Sequence, residues 1–75
     1  MSRLPDVSGA ELVKALQKAG FSILRQKGSH VSMEKVDPAG AWRTIVPMHR
    51  GIARGTLHDF LKQTGLTRDE LRKLL

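Results

Sequence analysis

Apolar residues recur every three or four positions in three stretches of the chain, the spacing that puts them on one face of an α-helix. In the first stretch these residues are Leu12, Leu16 and Ala19, and Gly20 follows them as a stop signal. The same spacing returns twice in the carboxyl-terminal part of the chain. The pattern therefore predicts three helices, over residues 8–19, 56–64 and 67–75.

Residues that form capping boxes precede the predicted helices. In such a box a Ser or Thr side chain bonds the backbone three residues further on, and the side chain at that position bonds back. The pairs with this spacing are Ser8 with Glu11, Thr67 with Glu70 and, in a weaker form, Thr56 with Asp59. Each pair predicts the start of one helix.

Between the first two predicted helices the pattern changes to strand-like alternation of polar and apolar residues. Gly28 and Ser29 make one break in this region, and residues 37–40 make a second with Asp, Pro and Gly at turn positions. Pro47 cannot donate a hydrogen bond to a neighbouring strand, so it ends the last strand or lies at an edge. The predicted strands cover residues 21–27, 30–36 and 42–46.

The order of these elements is α-β-β-β-α-α, which predicts an α+β fold with a three-stranded antiparallel sheet and helices on one face. A chain of 75 residues is expected to form one domain, residues 1–75. It contains no cysteine, so a disulfide framework and thiolate metal sites are excluded, as expected of a protein in the reducing cytoplasm. The apolar runs are too short for a membrane span, and the amino terminus shows no signal-peptide pattern.

The Gly28-Ser29 break predicts the register of the first two strands. Glycine at the first central position of a two-residue hairpin suits a type II′ turn. Counting outward from it pairs Lys27 with His30, Gln26 with Val31, Arg25 with Ser32 and Leu24 with Met33. Directly opposed residues share a face of the sheet. We therefore expect Leu24, Gln26, Val31 and Met33 on the core face, and Arg25, Lys27, His30 and Ser32 on the open face.

Positive charge is concentrated in the middle of the chain. The whole sequence has 13 Lys and Arg against seven Asp and Glu, a net charge of +6. From Arg25 to Arg54 there are six basic and two acidic residues, a net charge of +4. Such a surface favours a polyanion such as nucleic acid as the partner. The alternative is a basic domain without a polyanionic partner.

The predicted open face places His30 among cations, and a histidine beside cations could cleave a phosphodiester by acid–base catalysis. Cleavage of RNA needs one proton taken from the attacking 2′-hydroxyl and one given to the departing 5′-oxygen, and an imidazole can do either near neutral pH. Arg25 and Lys27 could hold the phosphate and stabilise its developing charge. The residues alone leave open a solvent-facing histidine beside cations that only bind phosphate.

Three segments of the chain resemble the HicA family of bacterial toxins, which are small ribonucleases that cleave messenger RNA. These segments are GFSILRQKGSHVSM, TIVPMH and RGTLHDFLKQTGL. The segment VSGAELVKALQKAG resembles the first helix of that family. The resemblance covers nearly the whole chain in the family's order. Gly-Ser-His after a Gly-Phe strand is its specific part, whereas Pro-x-His and Gly-Thr-Leu alone are weak signals.

The resemblance implies a fold like that of double-stranded-RNA-binding domains and a catalytic histidine at His30. It also implies a partner, a HicB-type antitoxin that binds the toxin and blocks it. The KVDPAGAW connection varies in such proteins, so no functional role is carried over to Trp42. That tryptophan either packs against the core or stacks a base.

Several other residues have two interpretations. His49 matches the family's Pro-x-His and is either a second proton-transfer group or a loop histidine that holds a turn. His58 lies off the apolar face of its predicted helix and is expected to be solvated. The backbone N–H groups of residues 55–57 either hold a phosphate or are simply capped. Acidic residues show no metal-ligand spacing, so a two-metal nuclease is not expected. The site is expected to use neither a metal nor a cofactor.

Two classes of function follow. The first is a metal-independent endoribonuclease toxin centred on His30, and the second is a non-catalytic RNA-binding module of the same fold. In both, the residues expected to contact RNA are Arg25, Lys27, Ser29, Arg43, Arg50 and Arg54. A DNA-binding helix-turn-helix is a distant third, because little base-reading chemistry follows the junction at Gly65. The expected partners are therefore RNA and an antitoxin, without a membrane and without direct DNA binding by this chain alone.

Overall fold

The computed structural model describes residues 6–75, and its elements follow the predicted order. The helices are α1 (Gly9–Lys18), α2 (Arg54–Thr64) and α3 (Arg68–Leu74). The strands are β1 (Ser22–Lys27), β2 (His30–Asp37) and β3 (Gly40–Pro47). In the described part of the chain, no helix is long and apolar enough to cross a membrane.

Helices α1 and α3 begin at the capping boxes that the sequence predicts. At α1, the Ser8 hydroxyl accepts from the Glu11 N–H at 3.1 Å, and the Ser8 N–H donates to the Glu11 carboxylate at 3.0 Å. Thr67 and Glu70 make the same two bonds at 3.1 and 2.9 Å. The bond from the Thr67 backbone is the main reason that the pKa of Glu70 is lowered. The box at α3 therefore persists at neutral pH and weakens only as the pH falls through that lowered value.

The prediction of a capping box at Thr56 and Asp59 is wrong. Helix α2 begins two residues earlier, at Arg54, and its N-cap residue Ala53 makes no side-chain hydrogen bond. The start of this helix is set instead by Ile52, which is 8% exposed and whose N–H donates to the Val7 carbonyl at 2.9 Å. A tertiary anchor thus positions the first turn in place of a local cap.

The three strands form one antiparallel sheet in the order β1-β2-β3, and one face of it is buried. Val31 and Met33 of β2 and Thr44 and Val46 of β3 are buried on that face. The helices supply the other half of the core, chiefly through Leu12, Leu16, Leu57, Phe60 and Leu71. The helices therefore lie on one face of the sheet, and the opposite face is open, which confirms the predicted fold class.

The register of the hairpin confirms the prediction near the turn and corrects it further away. Lys27 pairs with His30, Gln26 with Val31 and Arg25 with Ser32. Met33 then pairs with Ile23 and not with Leu24, because the pairing shifts between Ile23 and Arg25. One extra residue in β1 is accommodated as a β-bulge.

The bulge leaves Leu24 54% exposed, so its predicted place in the core is wrong. The physical reason lies at the other end of β1. Phe21 is buried directly after α1, and its N–H donates to the Leu16 carbonyl at 2.9 Å. Burial of Phe21 fixes one end of β1, and the Gly28-Ser29 turn fixes the other. The bulge accommodates the one extra residue between these two fixed points. Gln26 is also exposed rather than in the core, and its amide donates to the Gly28 carbonyl at 3.2 Å.

Trp42 packs against the core and so follows the first of its two interpretations. Its indole N–H donates to the Asp37 carboxylate at 3.2 Å, and its side chain is half-buried. The six-membered ring lies against Gly65, where an added Cβ would approach it to 3.1 Å. These contacts fasten the end of α2 to the β2–β3 hairpin.

Candidate functional site

The site is built on the hairpin turn that precedes His30. Gly28 has a φ of 59°, and Ser29 has a negative φ, because no non-glycine residue in the described range has a positive one. A positive φ at the first central residue alone is the signature expected of a type II′ turn. A Cβ at Gly28 would meet no atom within 4 Å, so the backbone conformation and not the space requires glycine. His30 follows as the first residue of β2 and is exposed.

Two further elements hold this turn in place. The Met48 N–H, just after β3, donates to the Ser29 carbonyl at 2.6 Å, and His30 itself pairs with Pro47. The connection after β3 is in turn fixed to the start of α1, since the Gly9 N–H donates to the His49 carbonyl at 2.8 Å. The backbone beside His30 is therefore positioned by β3 and, through it, by α1.

Gly9 allows this close approach between α1 and the end of β3. A Cβ added there would overlap the carbonyl oxygen of Pro47 and approach the Cα of Met48 to 2.8 Å. Gly9 was not singled out from the sequence. The available signal was a glycine just inside a capped helix, where it is unfavourable unless a close contact requires it.

The structure brings four of the predicted open-face residues together. A shallow depression of about 380 Å³ is lined by Arg25, Lys27, His30, Ser32 and Ile45. The charged groups of this lining are the two cations, so the depression favours an anionic ligand. Its position on an open sheet face leaves His30 accessible to a polymer. Ile45 was not singled out from the sequence, because it adjoins Val46 in a strand-like run and apolar residues in such runs are ordinarily taken as core.

A second, larger depression of about 610 Å³ adjoins the first and shares Arg25, Ser32 and Ile45 with it. The remaining residues of its lining are Leu24, Met33, Arg43, Thr44 and Gln63. The hydroxyl of Thr44 donates to the side-chain oxygen of Gln63 at 2.7 Å. The shared residues thus form the boundary between two concave surfaces.

The other predicted RNA-contacting residues are more scattered. Arg43 forms an ion pair with Glu34 at 2.5 Å, which balances its charge. Arg50 and Arg54 are exposed in the connection after β3 and at the start of α2, outside the lining of both depressions. The carbonyl of Ser29 accepts the bond from Met48 described above. The structure therefore places Arg25 and Lys27 in the depression that contains His30, whereas Arg50 and Arg54 lie outside its lining.

The two other histidines lie outside the depression that contains His30. His49 is exposed in the connection after β3, where its carbonyl holds α1, and His58 is exposed on α2. Within residues 6–75, no three His, Asp or Glu side chains are grouped in a way that could hold a metal ion. The chemistry available at this site is that of one imidazole, two cations and the Ser32 hydroxyl.

Comparison with known families finds one match over most of the chain. A family model described as HicA toxin of bacterial toxin-antitoxin matches residues 9–66, a range that runs from α1 through α2 and includes the Gly-Ser-His turn. No curated protein matches the sequence.

Proposed function

Because this chain belongs to the HicA toxin family of bacterial toxin–antitoxin systems, we propose that it is an endoribonuclease that cleaves messenger RNA, with His30 as its catalytic residue. The observation that carries this proposal is the depression that His30 shares with Arg25 and Lys27. It joins a proton-transfer group to two phosphate-binding groups on an accessible surface. Metal-independent cleavage of RNA uses groups of both kinds.

The proposed reaction uses the ribose 2′-hydroxyl as the nucleophile. Its oxygen attacks the neighbouring phosphorus, the bond to the 5′-oxygen breaks, and a 2′,3′-cyclic phosphate and a 5′-hydroxyl result. His30 either takes the proton of the 2′-hydroxyl or gives a proton to the 5′-oxygen, and a water molecule makes the other of these two transfers. Arg25 and Lys27 stabilise the negative charge that develops on the phosphate oxygens. Water could replace the 2′-hydroxyl as nucleophile, and the chemistry of the product ends distinguishes the two.

The test of the proposal is cleavage in the presence of a chelator. Purified protein is incubated with single-stranded RNA and excess EDTA, and the products are separated and their 3′ ends identified. We expect cleavage that EDTA does not reduce, with cyclic phosphate at the new 3′ ends. Loss of all cleavage on chelation would contradict the metal-independent mechanism.

One observation favours the second candidate, a non-catalytic RNA-binding module. The lining of the His30 depression contains a single histidine and no carboxylate, whereas acid–base cleavage uses two proton transfers. Under this alternative Arg25 and Lys27 only grip phosphates. Intact RNA after prolonged incubation, together with measurable binding, would favour this candidate.

Both candidates predict how binding depends on salt. Arg25→Ala and Lys27→Ala should each weaken binding of all single-stranded RNA sequences. In each variant the association constant should fall less steeply with salt, and the slope of its logarithm against log salt should be smaller in magnitude by about 0.7, because one fewer counterion is released. The measurement is a fluorescence titration of labelled RNA at several salt concentrations. Lys14→Ala, an exposed cation on α1, is the matched control and should leave the slope nearly unchanged. Unchanged slopes for both site variants would show that RNA binds another face.

Family membership also implies a cognate antitoxin, and we propose that it is a HicB-type protein that covers the His30 depression. The cations of this depression favour an acidic surface on the partner. A partner that binds only the folded state stabilises it by mass action, by about 2.7 kcal/mol at a hundredfold excess over Kd. The melting temperature of this protein should therefore rise as the partner concentration rises.

Co-purification provides the second readout of the antitoxin proposal. The tagged chain, expressed at native level in its own organism, should be recovered with a partner that blocks RNA cleavage. Recovery of the chain alone and fully active would contradict the proposal.

A further inference from the structure

A row of three side chains crosses the sheet beside the row that contains His30. The register places Arg25 opposite Ser32 and Ser32 opposite Ile45. The neighbouring row is Lys27, His30 and Pro47. Residues two positions apart along a strand are separated by roughly 7 Å. A ligand group bound over one row therefore has its next group within reach of the other row.

Ile45 is the apolar member of this row, and its side chain is 57% exposed. The core lies on the opposite face of β3, where Thr44 and Val46 are buried. Exposure of a single apolar residue needs no explanation in general, and Leu24 in the larger depression is exposed as well. The position of Ile45 is what distinguishes it, because it lines both depressions and is the only apolar side chain in the lining of the one that contains His30.

We propose that Arg25, Ser32 and Ile45 form a subsite for the nucleotide next to the phosphate that reaches His30, with Ile45 in contact with the nucleobase. This inference rests on the proposed function, since it concerns the same RNA substrate. Arg25 binds the phosphate that reaches His30, to which that nucleotide is attached. The Ser32 hydroxyl bonds the ribose of the nucleotide, and the Ile45 side chain covers part of the face of its base. The subsite is thus a place where the substrate is positioned, apart from the proton transfer itself.

The chemistry of the row identifies the occupant as single-stranded RNA. A base within a duplex hides its faces by stacking, whereas an unpaired base can present a face to an apolar side chain. The flanking charges, Arg25 and Lys27, complement a phosphodiester backbone. A volume of about 380 Å³ lies in the range of pockets that hold small organic groups, which suits a single nucleotide.

The test compares Ile45→Thr with Val36→Thr in steady-state cleavage of single-stranded RNA. Threonine keeps the β-branch and the strand propensity but removes apolar surface. Val36 is the matched control, because it is 72% exposed, alternates onto the same face of β2 as His30 and Ser32, and lines neither depression. Equal melting temperatures for both variants and the wild type establish that the fold is unchanged.

We expect Ile45→Thr to raise KM about fivefold, as loss of a partly buried apolar contact would, and to change kcat less than about twofold. Val36→Thr should change neither constant. Once the main cleavage position is mapped, substrates with an abasic nucleotide on its 5′ or 3′ side provide a second test. Removal of the contacted base should raise KM of the wild type, and Ile45→Thr should then have no additional effect.

Three results would overturn the subsite. The first is equal KM values for Ile45→Thr and Val36→Thr, and the second is a full Ile45→Thr effect on both abasic substrates. The third is unchanged cleavage by Ile45→Thr together with lost binding of the antitoxin, which would assign Ile45 to a protein interface instead. If the wild type cleaves no RNA, the proposed function fails separately. The subsite is then judged by RNA affinity, where a Kd about fivefold higher for Ile45→Thr alone supports it and equal Kd values overturn it.

Discussion

His30→Ala is expected to lower the rate of RNA cleavage by roughly 10²–10⁴, because it removes the general acid or base of the proposed reaction. Expression of the wild type is expected to arrest growth, and expression of this variant is expected not to. His30 is exposed at the start of β2, so its truncation leaves no core cavity and should change the free energy of unfolding by under about 0.5 kcal/mol. RNA affinity should stay close to that of the wild type, since Arg25 and Lys27 remain. The measurements are single-turnover cleavage, thermal unfolding and an RNA titration.

His49→Ala and His58→Ala are the controls for this experiment. Both side chains are exposed and lie outside the depression that contains His30, and we expect smaller losses of rate from each. If the cleavage rate of the wild type has a bell-shaped dependence on pH and His49→Ala loses one limb of that curve, His49 is a second proton-transfer group. Wild-type cleavage by His30→Ala from about pH 5 to 8, the range in which imidazoles titrate, would end the catalytic assignment in favour of RNA binding alone.

Gly9→Ala is expected to destabilise the fold more than alanine at any other glycine of the chain. The new Cβ overlaps the Pro47 carbonyl oxygen, which is backbone and has no alternative rotamer to adopt. Overpacking of this kind destabilises by about 3 kcal/mol, which corresponds to a fall of roughly 12–24 °C in Tm for a domain of this size. Cleavage should fall as well, because the displaced segment contains Met48, whose N–H holds the turn before His30.

Gly55→Ala is the matched control for Gly9→Ala. Gly55 also lies in the first turn of a helix, but a Cβ there would meet nothing within 4 Å. Alanine is the better helix former, so Gly55→Ala should be neutral or stabilising by about 0.5 kcal/mol. Both variants are compared by thermal and urea unfolding. A Gly9→Ala protein that melts within about 2 °C of the wild type would mean that α1 and β3 can separate without loss of stability.

Features that depend on neighbours in the chain followed from the sequence. The capping boxes at Ser8 and Thr67 involve residues three apart, and the helices start where those boxes predict. Gly28 has the positive φ that is expected at the first central residue of this turn, and the three residue pairs nearest to the turn are in the predicted register. These features are local because the atoms that decide them are only a few bonds apart.

Other features were decided by contacts between distant segments. The bulge at Leu24 reconciles the hairpin turn with Phe21, which is buried after α1, and α2 starts where Ile52 is held by Val7. Neither the bulge nor the start of α2 could be predicted from neighbouring residues, because each depends on contacts between segments that are distant in the chain.

The same division applies to the candidate site. Alternation along the strands from a single turn was enough to put Arg25, Lys27, His30 and Ser32 on one face. That Arg43 is paired with Glu34, and that Ile45 joins the depression, depended on which residues β3 places opposite β2. The close approach of Gly9 to Pro47 likewise exists only in the assembled fold. The sequence determined the chemistry that the hairpin presents, whereas tertiary packing determined its neighbours and its support, because residues far apart in the chain have no fixed distance until the core forms.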